Sequence, residues 1–246
     1  MIPRCFVDAA VWREPVIVLN PDDSHHLSDV LRVGIGATVV VSDGQGGEAT
    51  AKITAIAPRG VTVLVTERRV QSGLGPDLIL VQAVPKAQKM DWIIQKATEI
   101  GICALVPVMT DRGVVKLEDE RADHRTARWQ RIAVEASKQC RTAWIPRVRP
   151  PEALATVLSR PVAEVLLIGS LEPMAVSLKT CMGEMRERRP RSVGLLIGPE
   201  GDFSPRELAL AREAGALPVS YGSRVLRVET AAIYGLSILA YELSGL

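Results

Sequence analysis

The stretch LLIGPEGDFSPRE, residues 195–207, joins two elements of different character. The apolar run VGLLIG (193–198) has the composition of a strand buried on both faces. Ser204-Pro205-Arg206-Glu207 reads as a capping box, with Ser at the cap, Pro at the first helical position and Glu at the third. A helix is therefore predicted from 205 to 214, closed by Gly215. The loop 198–203 lies between these two anchors. Gly198 and Gly201 allow turning and close approach to a ligand, and Pro199 stiffens the bend. A turn alone gives no reason for Glu200. Strand, loop and helix in this order are the unit of a parallel α/β sheet, whose ligands bind beyond the carboxyl ends of the strands.

The same unit recurs on either side. LILVQAV (78–84), ALVPVM (104–109) and EVLLIG (164–169) are further apolar runs. A helix near 87–100 places Met90, Ile93, Ile94, Ala97 and Ile100 at helical spacing and stops at Gly101. The basic segment after it puts Trp129, Ile132, Ala133, Ala136 and Cys140 on one face. A second glycine loop lies in LPVSYGSRVLRVETAA (217–232), ahead of a helix whose core face is Ile233, Leu236, Leu239 and Leu243. Alternation of this kind predicts a mainly parallel α/β sheet. Residues 1 to about 70 differ: VIVL (16–19), ATVVVSDG (37–44), EATAKITAI (48–56) and VTVLVTE (61–67) are short strands around one helical stretch, SHHLSDVLR (24–32), with Leu27, Val30 and Leu31 on one face. That spacing suggests a small barrel. QSGLGPD (71–77) is the linker, dividing the chain into 1–72 and 73–246.

The composition, 47% apolar over 246 residues, supplies a sizeable core. No run of eighteen apolar residues and no apolar signal core occurs, so a soluble, cytoplasmic protein without a membrane partner is expected. Cys5, Cys103, Cys140 and Cys181 are scattered, which predicts buried reduced thiols rather than disulfides or zinc ligands. The net charge is only +2, but it is uneven: between Arg121 and Arg149 Lys and Arg exceed acids by six, and Arg186, Arg188, Arg189 and Arg191 face only Glu187. Such runs are usually solvated helix faces; here they also allow an anionic partner. Several chemistries have no support. There is no G-x-x-x-x-G-K-[ST] loop and no G-x-G-x-x-G opening a helix. His25 and His26 are adjacent and His124 is distant, which leaves neither a metal cluster nor a Ser-His-Asp set.

HHLSDVLR (25–32), PKAQKMDWIIQKATEIG (85–101), DRGVVK (111–116), EASKQCR (135–141), LLIGPEGDFSPRE (195–207) and RVLRVETA (224–231) together resemble the RsmE-type 16S ribosomal RNA uridine-N3 methyltransferases, in order and over nearly the whole chain. The resemblance implies an α/β fold of the SPOUT superfamily, a mainly parallel sheet with a C-terminal trefoil knot, behind an N-terminal PUA-like β-barrel. It implies S-adenosyl-L-methionine as methyl donor, a homodimer, no metal, and methylation of N3 of one uridine in 16S rRNA of the small ribosomal subunit. Two other readings stand beside it: a SPOUT enzyme acting on tRNA or 23S rRNA, and a non-catalytic RNA-binding relative.

Carried onto this sequence, the resemblance assigns one wall of the cofactor pocket to Ile197, Gly198, Pro199, Glu200 and Gly201. The other wall falls to Tyr221, Gly222, Val225, Leu226, Arg227, Thr230 and Ala231, with Leu171 and Glu172 completing it. N3 of uridine carries a proton, so its methylation needs a base or stabilisation of the uridylate. Arg227 is the candidate to stabilise charge on the base, with Glu229 or Glu200 orienting it or accepting a proton. RNA contacts are expected from Arg4 and Arg32 in the barrel half and from Lys86, Lys89, Arg112, Lys138 and Arg141 in the catalytic half. The chain departs from the family at Asp202 (usually Gly), Gly113 (usually Ser or similar) and Tyr221 (usually aliphatic). Asp202 is expected to point away from the pocket or to pair with a cation, Arg206 being nearest in sequence.

Overall fold

The computed structural model describes residues 2–73, 75–86, 89–113 and 119–245. The first two positions of the expected 87–100 helix and residues 114–116 of DRGVVK lie outside them. The chain forms two compact units, Met1–Gly73 with Ser137–Ile145, and Leu74–Ala136 with Pro146–Leu246.

The first unit is a five-stranded sheet. Its strands are β1 (Arg4–Phe6), β2 (Val16–Val18), β3 (Thr38–Ser42), β4 (Gly47–Ala57) and β5 (Gly60–Val70), in the order β1-β3-β4-β5-β2. β1 runs parallel to β3 and the other pairs are antiparallel. Alternation on β3–β5 turns Val39, Val41, Ala49, Ala51, Ile53, Val61 and Val63 onto one core with Cys5, Ile17 and Leu27. Register shifts at Thr50/Ala51 and Ile53/Ala55 mark bends in the long β4–β5 hairpin. The predicted helix at 24–32 begins earlier and ends differently. Asn20 caps α1 (Pro21–His25), and residues His26–Val30 then widen into a π-helical turn closed by Leu31 N–H on His26 C=O. The wider turn rotates the face, so Leu27 is buried while Val30 and Leu31 are exposed.

The second unit carries an all-parallel sheet. Its strands and helices are β6 (Asp77–Ala83), α2 (Lys89–Ile100), β7 (Ala104–Met109), α3 (Asp119–Cys140), β8 (Arg147–Val148), β9 (Glu152–Ala153), α4 (Leu154–Leu158), β10 (Val165–Gly169), β11 (Val176–Ser177), α5 (Leu178–Arg188), β12 (Ser192–Ile197), α6 (Pro205–Glu213), β13 (Leu217–Ser220) and α7 (Val228–Leu243). The strand order is β11-β13-β10-β12-β6-β7-β8, with β9 also on β7. Both faces are covered, as a parallel sheet requires. One core holds apolar residues of α2, α3, α5 and α7, including Ile93, Trp129, Met182 and Leu236. The other holds α4 and α6 residues, Leu154, Val157 and Ala211, with Phe203. β12, the strand of the opening stretch, is central, between β10 and β6.

Three expectations change. Lys138 and Arg141 group with the first unit, because the segment 137–145 adds to it: Gln45 bridges Trp144, and Gly46 N–H donates to Ala143 C=O. Of the arginines at 186–191, Arg186 pairs with Glu242 and Arg188 with Glu164, which leaves Arg189 and Arg191 without an ion pair among the described residues. Among the cysteines, Cys5 and Cys181 are buried as expected, whereas Cys140 is half-buried and Cys103 exposed. Among the described residues, no helix is long and apolar enough to cross a membrane.

Candidate active site

Three strand ends converge. The loops after β10 (169–171), β12 (197–202) and β13 (220–227) close around a cavity of about 450 Å³, with Lys89 of α2 and the start of α7 completing it. The size suits a small-molecule ligand, and the position is the one expected for a parallel sheet.

Local chemistry explains the shape of the β12 loop. Ser204 Oγ accepts from Glu207 N–H while Glu207 Oε2 accepts from Ser204 N–H at 2.8 Å, so the predicted capping box is present. Glu207 is buried, and its other oxygen accepts from Asp111 N–H at 2.8 Å. Arg112 donates to the carbonyls of Gly201 (3.0 Å) and Phe203 (3.3 Å). The guanidinium assigned to RNA thus holds the site loop in place. Asp202 N–H donates to Pro199 C=O, closing a turn over 199–202. The left-handed residue of this loop is neither glycine but Asp202, at φ +60°. Gly198 is required for closeness instead: a Cβ there would stand 3.0 Å from the Phe203 ring.

Asp202 therefore departs from expectation. It lines the cavity, and its Oδ1 accepts from Phe203 N–H at 2.7 Å. No ion pair with Arg206 occurs among the described residues. The backbone bond replaces the cation, and a short carboxylate tolerates the conformation that explains the usual glycine.

The charges of the site form a triangle. Lys89 Nζ lies 3.0 Å from Glu200 Oε1 and 3.2 Å from Glu229 Oε2. Glu200 Oε1 also accepts from Lys86 N–H at 3.3 Å. Glu229 Oε2 is buried, and Lys89 Nζ is the cation that faces it. Lys89 titrates above its ordinary value, chiefly through the Glu200 hydrogen bond against some desolvation. Burial opposes ionisation of Glu200, but its own backbone N–H, Lys89 and Lys86 N–H outweigh that and hold its carboxyl below the ordinary value. Lys89 was expected at an RNA surface and Glu229 in the cavity wall. Instead Lys89 lines the cavity, and Glu229 reaches it through Lys89.

Of the other assigned cofactor residues, Leu171, Ile197, Gly198, Pro199, Glu200, Tyr221, Gly222, Val225, Leu226, Arg227 and Ala231 line the cavity. Glu172, Gly201 and Thr230 do not. Glu172 pairs with Arg212 and accepts from Ser170 Oγ at 3.3 Å. Sequence reasoning missed Gly169, Ser170, Ser220 and Val228 as wall residues; each lies within two positions of an assigned residue, so position next to a strand end was the available signal. Arg227 caps α7 through its backbone, and among the described residues neither its side chain nor that of Arg224 makes an ion pair. Tyr221 packs edge-on against Tyr234 at 5.9 Å, in space left by Gly169 and Gly235. Its hydroxyl is buried without a partner, and burial pushes the phenol up.

Of the remaining RNA candidates, Arg4 shares buried Glu48 of β4 with Arg69, and Lys138 pairs with Asp23 at 2.7 Å. Arg32, Lys86 and Arg141 are exposed.

An adenosyl group fits this cavity. Ile197, Val225, Leu226 and Ala231 offer apolar surface, and Gly222, with open space where a side chain would stand, admits a flat ring to the main chain.

Comparisons with known proteins agree with this geometry. Residues 74–240 match the RNA methyltransferase domain family, and residues 19–66 match the RNA methyltransferase PUA domain. Ribosomal RNA small subunit methyltransferase E of Bacillus subtilis is 29% identical over 232 residues, covering 93% of this chain and 91% of that protein. A methyltransferase of Legionella pneumophila, solved with bound SAM, superposes with a TM-score of 0.88 at 30% identity over 100% of both chains. Ribosomal RNA small subunit methyltransferase E of Neisseria gonorrhoeae, solved bound to S-adenosyl methionine, gives a TM-score of 0.86 at 27% identity over 98% of each.

Proposed function

The chain belongs to the ribosomal RNA small subunit methyltransferase E family, and from that premise we propose that it methylates N3 of one uridine of 16S rRNA, using S-adenosylmethionine. One observation carries the reading: a single cavity unites the two glycine loops with the Lys89–Glu200 pair and with Arg224 and Arg227, which make no ion pair among the described residues. S-adenosylmethionine, when bound, supplies an electrophilic methyl group.

The protein's part is to hold and polarise. The loops 197–202 and 220–227 would grip the adenosyl group through main chain and apolar side chains. Uridine N3 becomes nucleophilic as its proton leaves, and negative charge then spreads onto the neighbouring uracil oxygens. Arg227, on the wall and without an ion pair among the described residues, is the candidate to meet that charge, and Lys89 lines the same cavity. Neither carboxylate suits the role of base. Glu200 is held ionised by three hydrogen bonds, which weakens it as a proton acceptor, and the Glu229 oxygen faces Lys89. Their role is to orient Lys89, and the N3 proton passes to solvent. Stabilisation by fixed cations accounts for the catalysis without a protein base.

The trefoil knot and the pairing of two copies belong to the same reading. Exposed Met174, Val176, Tyr234 and Tyr241 on the catalytic unit supply apolar surface for a second copy. Work on ribosomal RNA would place the protein in the cytoplasm.

The test is methyl transfer from labelled donor to purified small subunits, large subunits and bulk tRNA in parallel. Label confined to 16S rRNA is expected. Label in 23S rRNA or tRNA overturns the substrate assignment, and no label in any of them overturns the activity.

A further inference from the structure

Two tryptophans of the first unit flank one glycine turn. A Cβ on Gly46 would fall 2.4 Å from the Trp144 indole, and one on Gly47 would fall 2.7 Å from that of Trp12. Trp144 Nε1 donates to Gln71 C=O at 3.2 Å, which fixes its ring, yet the residue is 44% exposed. A rigid indole left nearly half in water is unusual for packing alone.

The neighbourhood is cationic. The Arg68 guanidinium lies 5.7 Å from the Trp12 ring centroid. Arg4 and Arg69 share the single carboxylate of Glu48, next to Gly47. Arg4 also donates to the Arg141 carbonyl at 2.9 Å. The other carboxylate at the turn, Asp43, is engaged by the N–H groups of Gln45 (2.7 Å) and Gly47 (2.9 Å). Arg141 itself is exposed, and its side chain makes no ion pair or hydrogen bond among the described residues. Its backbone is left-handed, at φ +62°, directly after α3. After α2 and α6 the same chain uses Gly101 and Gly215 in that conformation. Arg189 takes the same conformation after α5, at φ +48°, so what marks Arg141 is its free guanidinium three residues from Trp144.

We propose that Trp144, with Arg141 beside it, is a stacking platform for an unpaired base of single-stranded RNA, the arginines meeting the flanking phosphates. This rests on the RNA-substrate reading above. An indole can stack only on a base that is free of its helix, so the platform selects unpaired RNA over duplex.

The experiment measures binding of a labelled eight-residue oligouridylate, and of a duplex of equal length, to the full-length protein and to three variants. Trp144→Ala is expected to bind the single strand about tenfold or more weakly, and Trp144→Phe within a few-fold of wild type. Arg141→Gly is expected to bind several-fold more weakly, with a salt slope lower by about one, at an unchanged or raised melting temperature. S-adenosylmethionine affinity, read by calorimetry, stays the same in all three and reports intact folding. Single-strand binding by Trp144→Ala and Arg141→Gly equal to wild type overturns the platform, as does equal or tighter binding of duplex by wild type. Wild-type protein that shows the expected pattern but methylates no ribosomal RNA leaves the platform standing and sinks the enzymatic reading instead.

Discussion

Asp202 sits at φ +60° on the wall of the cavity, bonded to the next backbone N–H, in a place where its family usually carries glycine. One dihedral explains both residues, and no sequence pattern displays a dihedral. Lys89 was similarly hidden. It stands at the head of α2 with every mark of a solvated terminus, and only the fold brings Glu200 and Glu229 to it. Its substitution by Met should raise the Glu200 carboxyl toward its ordinary value near 4.5, because a hydrogen bond and a cation are lost together. The sign follows from linkage. Glu200 titrates low in the folded protein, so its contribution to stability is present above the unfolded value and fades as pH falls through the folded one. Lys89 titrates high, so its contribution is present below the unfolded value and fades as pH rises through the folded one. Carbon-13 titration of labelled glutamates reads the shift in Lys89→Met. At the same scale, Glu229→Gln should keep the wild-type rise of kcat/KM with pH and lose about tenfold or less, whereas Arg227→Ala should lose about a hundredfold or more. A flattened pH profile in Glu229→Gln would restore Glu229 as the base. Tyr221→Phe removes a buried hydroxyl without a partner, so the ligand-free variant should melt no lower than wild type. The rise in melting temperature on adding S-adenosylmethionine should equal that of wild type, since the hydroxyl is sealed against Gly169 and Gly235; a smaller rise would mean it meets the ligand.

Elements were more legible than side-chain roles. Apolar runs bounded by Gly and Pro located β6, β7, β10 and β12, and the Ser204–Glu207 box located α6, because both signals are local. The π-helical turn after α1 was not legible; it depends on which carbonyl Leu31 N–H finds. Nor was the addition of residues 137–145 to the first unit, which rests on contacts with Gln45, Gly46 and Gln71 far away in sequence. The capping box itself proved to do more than start a helix. Glu207 also holds Asp111 N–H, so one buried carboxylate fixes both the site loop and the segment beside it. Glu207→Ala should therefore cost about 2 kcal/mol, more than an ordinary cap, as two partly buried donors lose their acceptor. Chemical denaturation measures the loss. A cost below about 1 kcal/mol would reduce Glu207 to a simple cap.

At the scale of the whole molecule, the division of labour follows from the two sheets. The parallel sheet of the second unit, covered on both faces, leaves only its strand ends for a ligand, and the cavity lies there. The antiparallel unit presents exposed tryptophan and arginine instead. Light scattering at micromolar concentration should report two copies of the 246-residue chain, and a monomer across that range would remove pairing from the account. The central claim is methylation of uridine N3, and N3 lies on the base-pairing edge. Reverse transcription of 16S rRNA from small subunits lacking the modification, incubated with the protein and S-adenosylmethionine, tests it most directly. One new strong stop is expected, next to a single uridine, and absent without the methyl donor. Methyl incorporation into 16S rRNA with no such stop would contradict it.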